Sequence, residues 1–126
     1  MEKIRVGVIG VGYLGKFHAQ KYAAMEDVIL AGVVDVDAAA SARVAATCNT
    51  KSFTDFRELL DQVDAVSVVV PTSHHHEVAS ACLDRGIHVL IEKPMTSSLA
   101  EADDLIARAD ANSCILQVGL LERFNP

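Results

Sequence analysis

The chain has 126 residues, 51% of them apolar and 5% aromatic with no Trp, and a formal net charge of −6. That length fits one domain with a respectable core, and the core must be Val, Ile, Leu and Ala, which suits a parallel sheet covered on both faces. The acidic balance, with no basic cluster, excludes a nucleic-acid surface and an anionic-membrane surface, since both reward grouped Lys and Arg.

In chain order, Ile4–Ile9 reads as strand one. Tyr13–Met25 reads as a helix with apolar positions Leu14, Phe17, Tyr22 and Met25 near helical spacing. Val28–Val34 is strand two and closes on Asp35. Asp37 is placed to cap an alanine-rich helix over Ala38–Thr47. Lys51–Phe53 is a short third strand, and Thr54 caps a short helix at Asp55–Leu60 with Phe56, Leu59 and Leu60 facing inward. Ala65–Val70 is the most β-branched run, stopped by Pro71, and reads as a central fourth strand. His74–Arg85 is helical, with Gly86 as its stop. Ile87–Ile91 is strand five, Ser98–Ala111 a helix with acidic residues in its first turns, and Cys114–Val118 strand six.

This alternation predicts an α/β fold, a doubly wound parallel sheet of six strands in the order 3-2-1-4-5-6. Right-handed crossovers bring Gly10, Pro71 and Glu92 to the carboxyl ends of strands one, four and five. The strand order reverses between strands one and four, and a ligand crevice opens at such a reversal.

The stretch with the most chemical content is Gly10-x-Gly12-x-x-Gly15. It follows a strand and opens a helix, which is the context a dinucleotide-binding turn needs. Gly10 permits the tight turn, Gly12 lets backbone approach a pyrophosphate, and Gly15 lets the helix pack close on the strand. The helix start offers unpaired N–H groups and the positive end of the dipole. Asp35, twenty residues after Gly15, can accept hydrogen bonds from both hydroxyls of an adenosine ribose. Its charge repels a 2′-phosphate, so NAD is favoured over NADP. The alternative for Asp35 is a turn residue capping the next helix.

Cys48, Cys82 and Cys114 are widely spaced and odd in number. They read as small buried hydrophobes in a reducing compartment. The N-terminus carries Glu2 and Lys3 before a short strand, which is unlike a signal peptide, and no run has the length of a membrane span. The expectation is a soluble cytoplasmic protein. His74-His75-His76 invites a metal reading, but consecutive helical residues point about 100° apart and cannot converge on one ion, so no metal is expected. His18, one turn past Gly15, reads as a structural residue packing on or capping the glycine turn.

Together, Gly10-x-Gly12-x-x-Gly15-x-x-His18, Asp35, Pro71-Thr72-x-x-His75, Gly86, Glu92-Lys93-Pro94 and Arg123-Phe124-Asn125-Pro126 resemble the N-terminal half of the Gfo/Idh/MocA family of NAD(P)-dependent oxidoreductases. The likeness runs through the whole chain, and the Glu-Lys-Pro step is its most specific piece. The resemblance implies that Gly10, Gly12, Tyr13, Leu14 and Gly15 contact the pyrophosphate through backbone and that Asp35 holds the ribose. It implies that Pro71, Thr72 and His75 border the cofactor, that Glu92 and Lys93 lie beside the nicotinamide, and that Gln117 approaches it. It also implies a cis bond at Pro94 that aims Lys93 at the substrate. Lys93 is then the catalytic candidate, since an ammonium near the substrate hydroxyl stabilises the developing alkoxide and relays its proton.

The resemblance divides the chain into a nucleotide-binding domain at 1–119 and the start of a connection at 120–126. The second domain of the family, which carries substrate contacts and an Asp and a His for acid/base catalysis, has no counterpart here. The implied function is hydride transfer between NAD and a secondary alcohol of a sugar, cyclitol or nucleotide sugar, in a protein that is a homo-oligomer at full length. The ending Glu122-Arg123-Phe124-Asn125-Pro126 looks more like the nucleotide-sugar members. The alternatives are a stand-alone NAD-binding regulatory or scaffold module without turnover, and a domain for coenzyme A or another adenylate.

Overall fold

A computed structural model of the chain describes residues 3–92 and 95–118. Six strands, β1 (Ile4–Ile9), β2 (Val28–Val34), β3 (Ser52–Phe53), β4 (Ala65–Val68), β5 (His88–Ile91) and β6 (Leu116–Val118), form one sheet in the order β3-β2-β1-β4-β5-β6. Every pairing is parallel. Four helices connect them: α1 (Tyr13–Ala24), α2 (Ala38–Cys48), α3 (His75–Asp84) and α4 (Leu99–Ala111). The strand order is the one the alternation predicts.

Alternation along the central strands sends side chains into two separate cores. Val8 and Val33 point to one face, where Val11, Ala19, Val44 and Ala45 of the α1–α2 side pack on them. Their neighbours Ile9 and Val34 point to the other, with Val66, Val68, Leu83, Ile91 and Leu105. Because both faces are covered, the strands are apolar at consecutive positions instead of every second one.

The connection from β3 to β4 differs from the expected single helix. It is two 3-10 turns, Phe56–Glu58 and Leu60–Gln62. Asp55 and not Thr54 caps the first, its carboxylate accepting the Arg57 N–H at 3.0 Å. A one-turn segment has too few backbone bonds to hold α geometry, so tertiary packing of Leu59 dictates its path. Leu59 is fully buried and occupies the space that side chains at Gly7 and Gly32 would need. Leu59→Ala should therefore cost about 3 kcal/mol, read as a lower urea midpoint with an unchanged slope.

α1 is rotated relative to its apolar pattern. Leu14, Phe17 and Met25 are 40%, 51% and 45% exposed, whereas Gly15, His18 and Ala19 are buried. The cause is a backbone contact. At Gly15 the helix lies so close to the glycine turn that this approach, and not side-chain size, fixes its rotation. β4 ends at Val68, two residues before the apolar run does, and Val69 and Val70 leave the sheet to line the crevice beyond it.

Candidate functional site

The carboxyl ends of β1, β2, β4 and β5 border two cavities of about 350 and 640 Å³. Both reach Gly12, Val69, Val70 and Pro71, so they form one crevice across the point where the strand order reverses. Gly10 makes the turn with φ +95°, where a side chain would stand 2.5 Å from the Val69 carbonyl oxygen. A Cβ on Gly15 would lie 1.8 Å from the Gly10 carbonyl oxygen. A Cβ on Gly12, by contrast, meets nothing within 4 Å. Gly12 is also the N-cap of α1, with no side-chain cap and no acidic residue in the first turn. An open, uncapped helix N-terminus with its dipole unneutralised fits a diphosphate.

The larger cavity holds Asp35. Its carboxylate is fixed from two sides, accepting the Val11 N–H at 2.9 Å and the Asp37 N–H at 2.9 Å. It is not the helix cap: Asp37 fills that role, accepting from Ala39 and Ala40. Asp35 thus ties the glycine turn to the end of β2 while keeping its remaining lone pairs for hydroxyl donors, as a ribose would offer. Phe56 and Arg57 line the same cavity, the guanidinium 4.8 Å from the centre of the Phe56 ring and 3.8 Å from Glu77. No local sequence signal marks these two, because only the folded connector brings them there.

The smaller cavity gathers Gly12, Tyr13, Leu14, Gly15, Pro71, Thr72, His75 and Glu92. The sequence therefore anticipates nearly all of its lining. His75 is 2% exposed, and its ring nitrogens lie 2.9 Å from the Met95 carbonyl oxygen and 2.7 Å from that of Val70. It ties the exit of β4 to the segment after β5. The neighbouring histidines diverge, His76 towards Asp104 at 2.6 Å and His74 towards Glu77 at 3.9 Å. Gln117 is not brought to the crevice: it pairs in register with Leu90 and is exposed, while Leu116 and Val118 turn to the core. A three-residue strand with that alternation points its middle side chain outward. Lys93, Pro94 and the Glu122–Pro126 ending lie outside the described residues.

His18 does not cap the glycine turn; both its ring nitrogens are engaged elsewhere. Its Nδ1 is 3.0 Å from Ser67 Oγ and its Nε2 is 3.1 Å from Glu92 Oε2. Tyr22 Oη completes the chain, 2.7 Å from Ser67 Oγ. The three-residue step from Gly15 puts His18 on the same helix face, which is the signal that marks it. Burial pushes the His18 imidazole below the ordinary histidine value of 6.5, further than the Glu92 carboxylate draws it back up. The unfolded chain then binds this proton at a higher pH than the folded one does. Stability should accordingly fall as pH drops below about 6.5. Urea unfolding at pH 7.5 and pH 5.5 checks this, and His18→Gln should flatten the difference.

The thiols stay out of the chemistry. Burial pushes Cys82 up to about 12 and raises Cys48 and Cys114 as well.

A parallel sheet with an uncapped glycine turn at its order reversal, and a tethered carboxylate at the end of the next strand, defines a dinucleotide-binding domain of the Rossmann class. Comparison with known proteins carries the assignment further. Residues 4–120 match the Gfo/Idh/MocA model, described as an oxidoreductase family with an NAD-binding Rossmann fold. The chain belongs to that family. It is 48% identical over 126 residues to a UDP-N-acetylglucosamine 3-dehydrogenase of Acidithiobacillus ferrooxidans, covering 100% of this chain and 40% of that protein. The solved structure of that enzyme superposes with a TM-score of 0.93, covering 100% of this chain and 41% of that one. A myo-inositol 2-dehydrogenase of Thermotoga maritima is 34% identical over 97% of the chain and 37% of its own length. A scyllo-inositol dehydrogenase of Lactobacillus casei, solved with NAD(H) and scyllo-inositol, is 26% identical with a TM-score of 0.90, over 98% of this chain and 38% of its own. The chain thus spans about two fifths of the relatives it matches.

Proposed function

We propose that this chain is the cofactor-holding domain, residues 1–119, of an NAD-dependent dehydrogenase that oxidises a secondary alcohol on a sugar-type substrate. The observation that carries this reading is the single crevice that runs from Asp35, past the open N-terminus of α1, to Glu92. Asp35 receives the adenosine ribose, the backbone of Gly12–Gly15 the diphosphate, and the cavity bordered by Pro71, Thr72, His75 and Glu92 the nicotinamide half. NAD supplies the hydride acceptor. Lys93, directly after Glu92 in the chain, takes the hydroxyl proton. In this reading residues 120–126 begin the connection to a second domain that supplies the substrate contacts.

The substrate class we favour is a nucleotide sugar. The relative at 48% identity supports this, as does the Glu-Arg-Phe-Asn-Pro ending. A homo-oligomer in the cytoplasm completes the reading, in keeping with three unpaired thiols. Among the described residues no helix is long and apolar enough to cross a membrane.

Calorimetric titration with NAD and with NADP tests the cofactor half of the proposal. NAD should bind more tightly by at least about tenfold. Equal affinities, or no heat with either, would count against it. In the full-length protein, NADH formation with UDP-N-acetylglucosamine but not with free myo-inositol would support the nucleotide-sugar class, and the reverse would remove it.

A further inference from the structure

The buried chain Tyr22–Ser67–His18–Glu92 lies behind the smaller cavity, and the steps assigned so far do not use it. Its four members come from three elements: His18 and Tyr22 from α1, Ser67 from β4, and Glu92 from the exit of β5. Ser67 is fully buried and His18 is 5% exposed. The Glu92 side chain is 12% exposed and lines the cavity wall. The His18 and Tyr22 rings meet edge to face at 6.4 Å, which holds the imidazole plane. The charged groups that bear on His18 are Glu92 from across the sheet edge and Lys21 on its own helix.

One arrangement of protons satisfies every member. The Tyr22 hydroxyl donates to Ser67 Oγ, and the Ser67 hydroxyl donates to His18 Nδ1. The His18 Nε2–H then donates to the Glu92 carboxylate. In this pattern the imidazole is neutral, its tautomer is dictated by Ser67, and its Nε2–H is aimed at the carboxylate on the cavity wall. Burial of the imidazole favours the same neutral form.

We propose that His18 is a positioning residue that holds the Glu92 carboxylate in place on the wall of the nicotinamide cavity and thereby biases the site towards the oxidised cofactor. The inference rests on the reading that this crevice takes NAD with its nicotinamide half beside Glu92. The oxidised ring carries a positive charge and the reduced ring carries none. A fixed anion on the wall therefore favours NAD+ over NADH without contributing to the rest of the dinucleotide. Without the His18 donor, no other member of the network fixes the carboxylate on the wall, so it is free to rotate away and the bias disappears.

The test uses the full-length protein titrated with NAD+ and with NADH. His18→Leu should lower the NAD+ to NADH affinity ratio by about tenfold, with a smaller effect on NADH itself. Glu92→Gln should lower it equally, and the double variant should fall no further than Glu92→Gln alone. His18→Gln, whose amide N–H can still reach the carboxylate, should restore most of the ratio. Nitrogen NMR of labelled histidine should find His18 protonated at Nε2 and bare at Nδ1 near neutral pH, and Ser67→Ala should weaken that preference. A ratio in His18→Leu within about twofold of the parent overturns the inference, as does a His18 protonated at Nδ1. If His18→Leu does not fold, Glu92→Gln and the tautomer decide it. Failure of the parent protein to bind either form of the cofactor would instead overturn the NAD reading on which the inference stands.

Discussion

Gly15→Ala should destabilise the domain, while Gly12→Ala, three residues away, should leave the fold intact and weaken NAD binding. The two glycines look alike in the motif but meet different surroundings. A methyl at Gly15 would lie 1.8 Å from the Gly10 carbonyl oxygen. That atom is backbone, held in a turn whose own N–H at Gly10 is bonded to the Val34 carbonyl at 2.7 Å, so it cannot swing aside. Relief requires α1 to move off the sheet, which disturbs His18 and Ala19 in the core. We expect a loss of about 3 kcal/mol, or roughly 10 °C in Tm. At Gly12 the added methyl meets no protein atom within 4 Å, and its φ of −65° is open to any residue. Stability should stay within about 0.5 kcal/mol of the parent. The methyl would nevertheless occupy the space of the diphosphate and weaken NAD by at least about tenfold. Thermal unfolding and NAD titration of both variants separate the effects. A Gly12→Ala protein with full NAD affinity would mean that the diphosphate lies elsewhere.

The second large effect is expected at Asp35. Its carboxylate is anchored by the Val11 and Asp37 N–H groups, so it cannot rotate away from an incoming 2′-phosphate. Two like charges about 4 Å apart repel by about 4 kcal/mol at an effective dielectric near 20. Solvent in an open crevice reduces this, and about 2 kcal/mol is the expectation, equivalent to roughly a 30-fold preference for NAD. Asp35→Ser removes the charge and shortens the acceptor. NAD should bind more weakly, NADP should gain relative to it, and the preference should fall to within about threefold of unity. Arg57 lines the same cavity and would supply attraction once the carboxylate is gone. Competition titrations with both cofactors decide the matter. An unchanged preference in Asp35→Ser would show that the ribose is read by another group.

Much of the architecture was legible because its signals are local. Val6–Ile9 within Ile4–Ile9, and Val28–Val34, carry no polar side chain at consecutive positions, as a strand buried on both faces requires, and the structure keeps the bounds Ile4–Ile9 and Val28–Val34. The glycine spacing and Asp35 are legible for a similar reason, since a tight turn and a carboxylate at a strand end are properties of chain geometry over a few residues. The expected caps divided. Asp37 holds the helix start expected of it, but Thr54 yields to Asp55, because the segment there is shaped by Leu59 and not by its own helical preference.

What the sequence determined by itself is the fold class, the strand order and the place of the crevice, all consequences of periodicity, turn chemistry and the handedness of crossovers. What only the tertiary structure decided is which side chains meet. α1 turns Leu14 and Phe17 outward because the Gly15–Gly10 backbone contact sets its rotation. That rotation brings His18 between Ser67 and Glu92, residues 49 and 74 positions away. No periodicity encodes such a meeting, because it depends on the distance between a helix and a sheet, and that distance is set by the absence of a single Cβ atom.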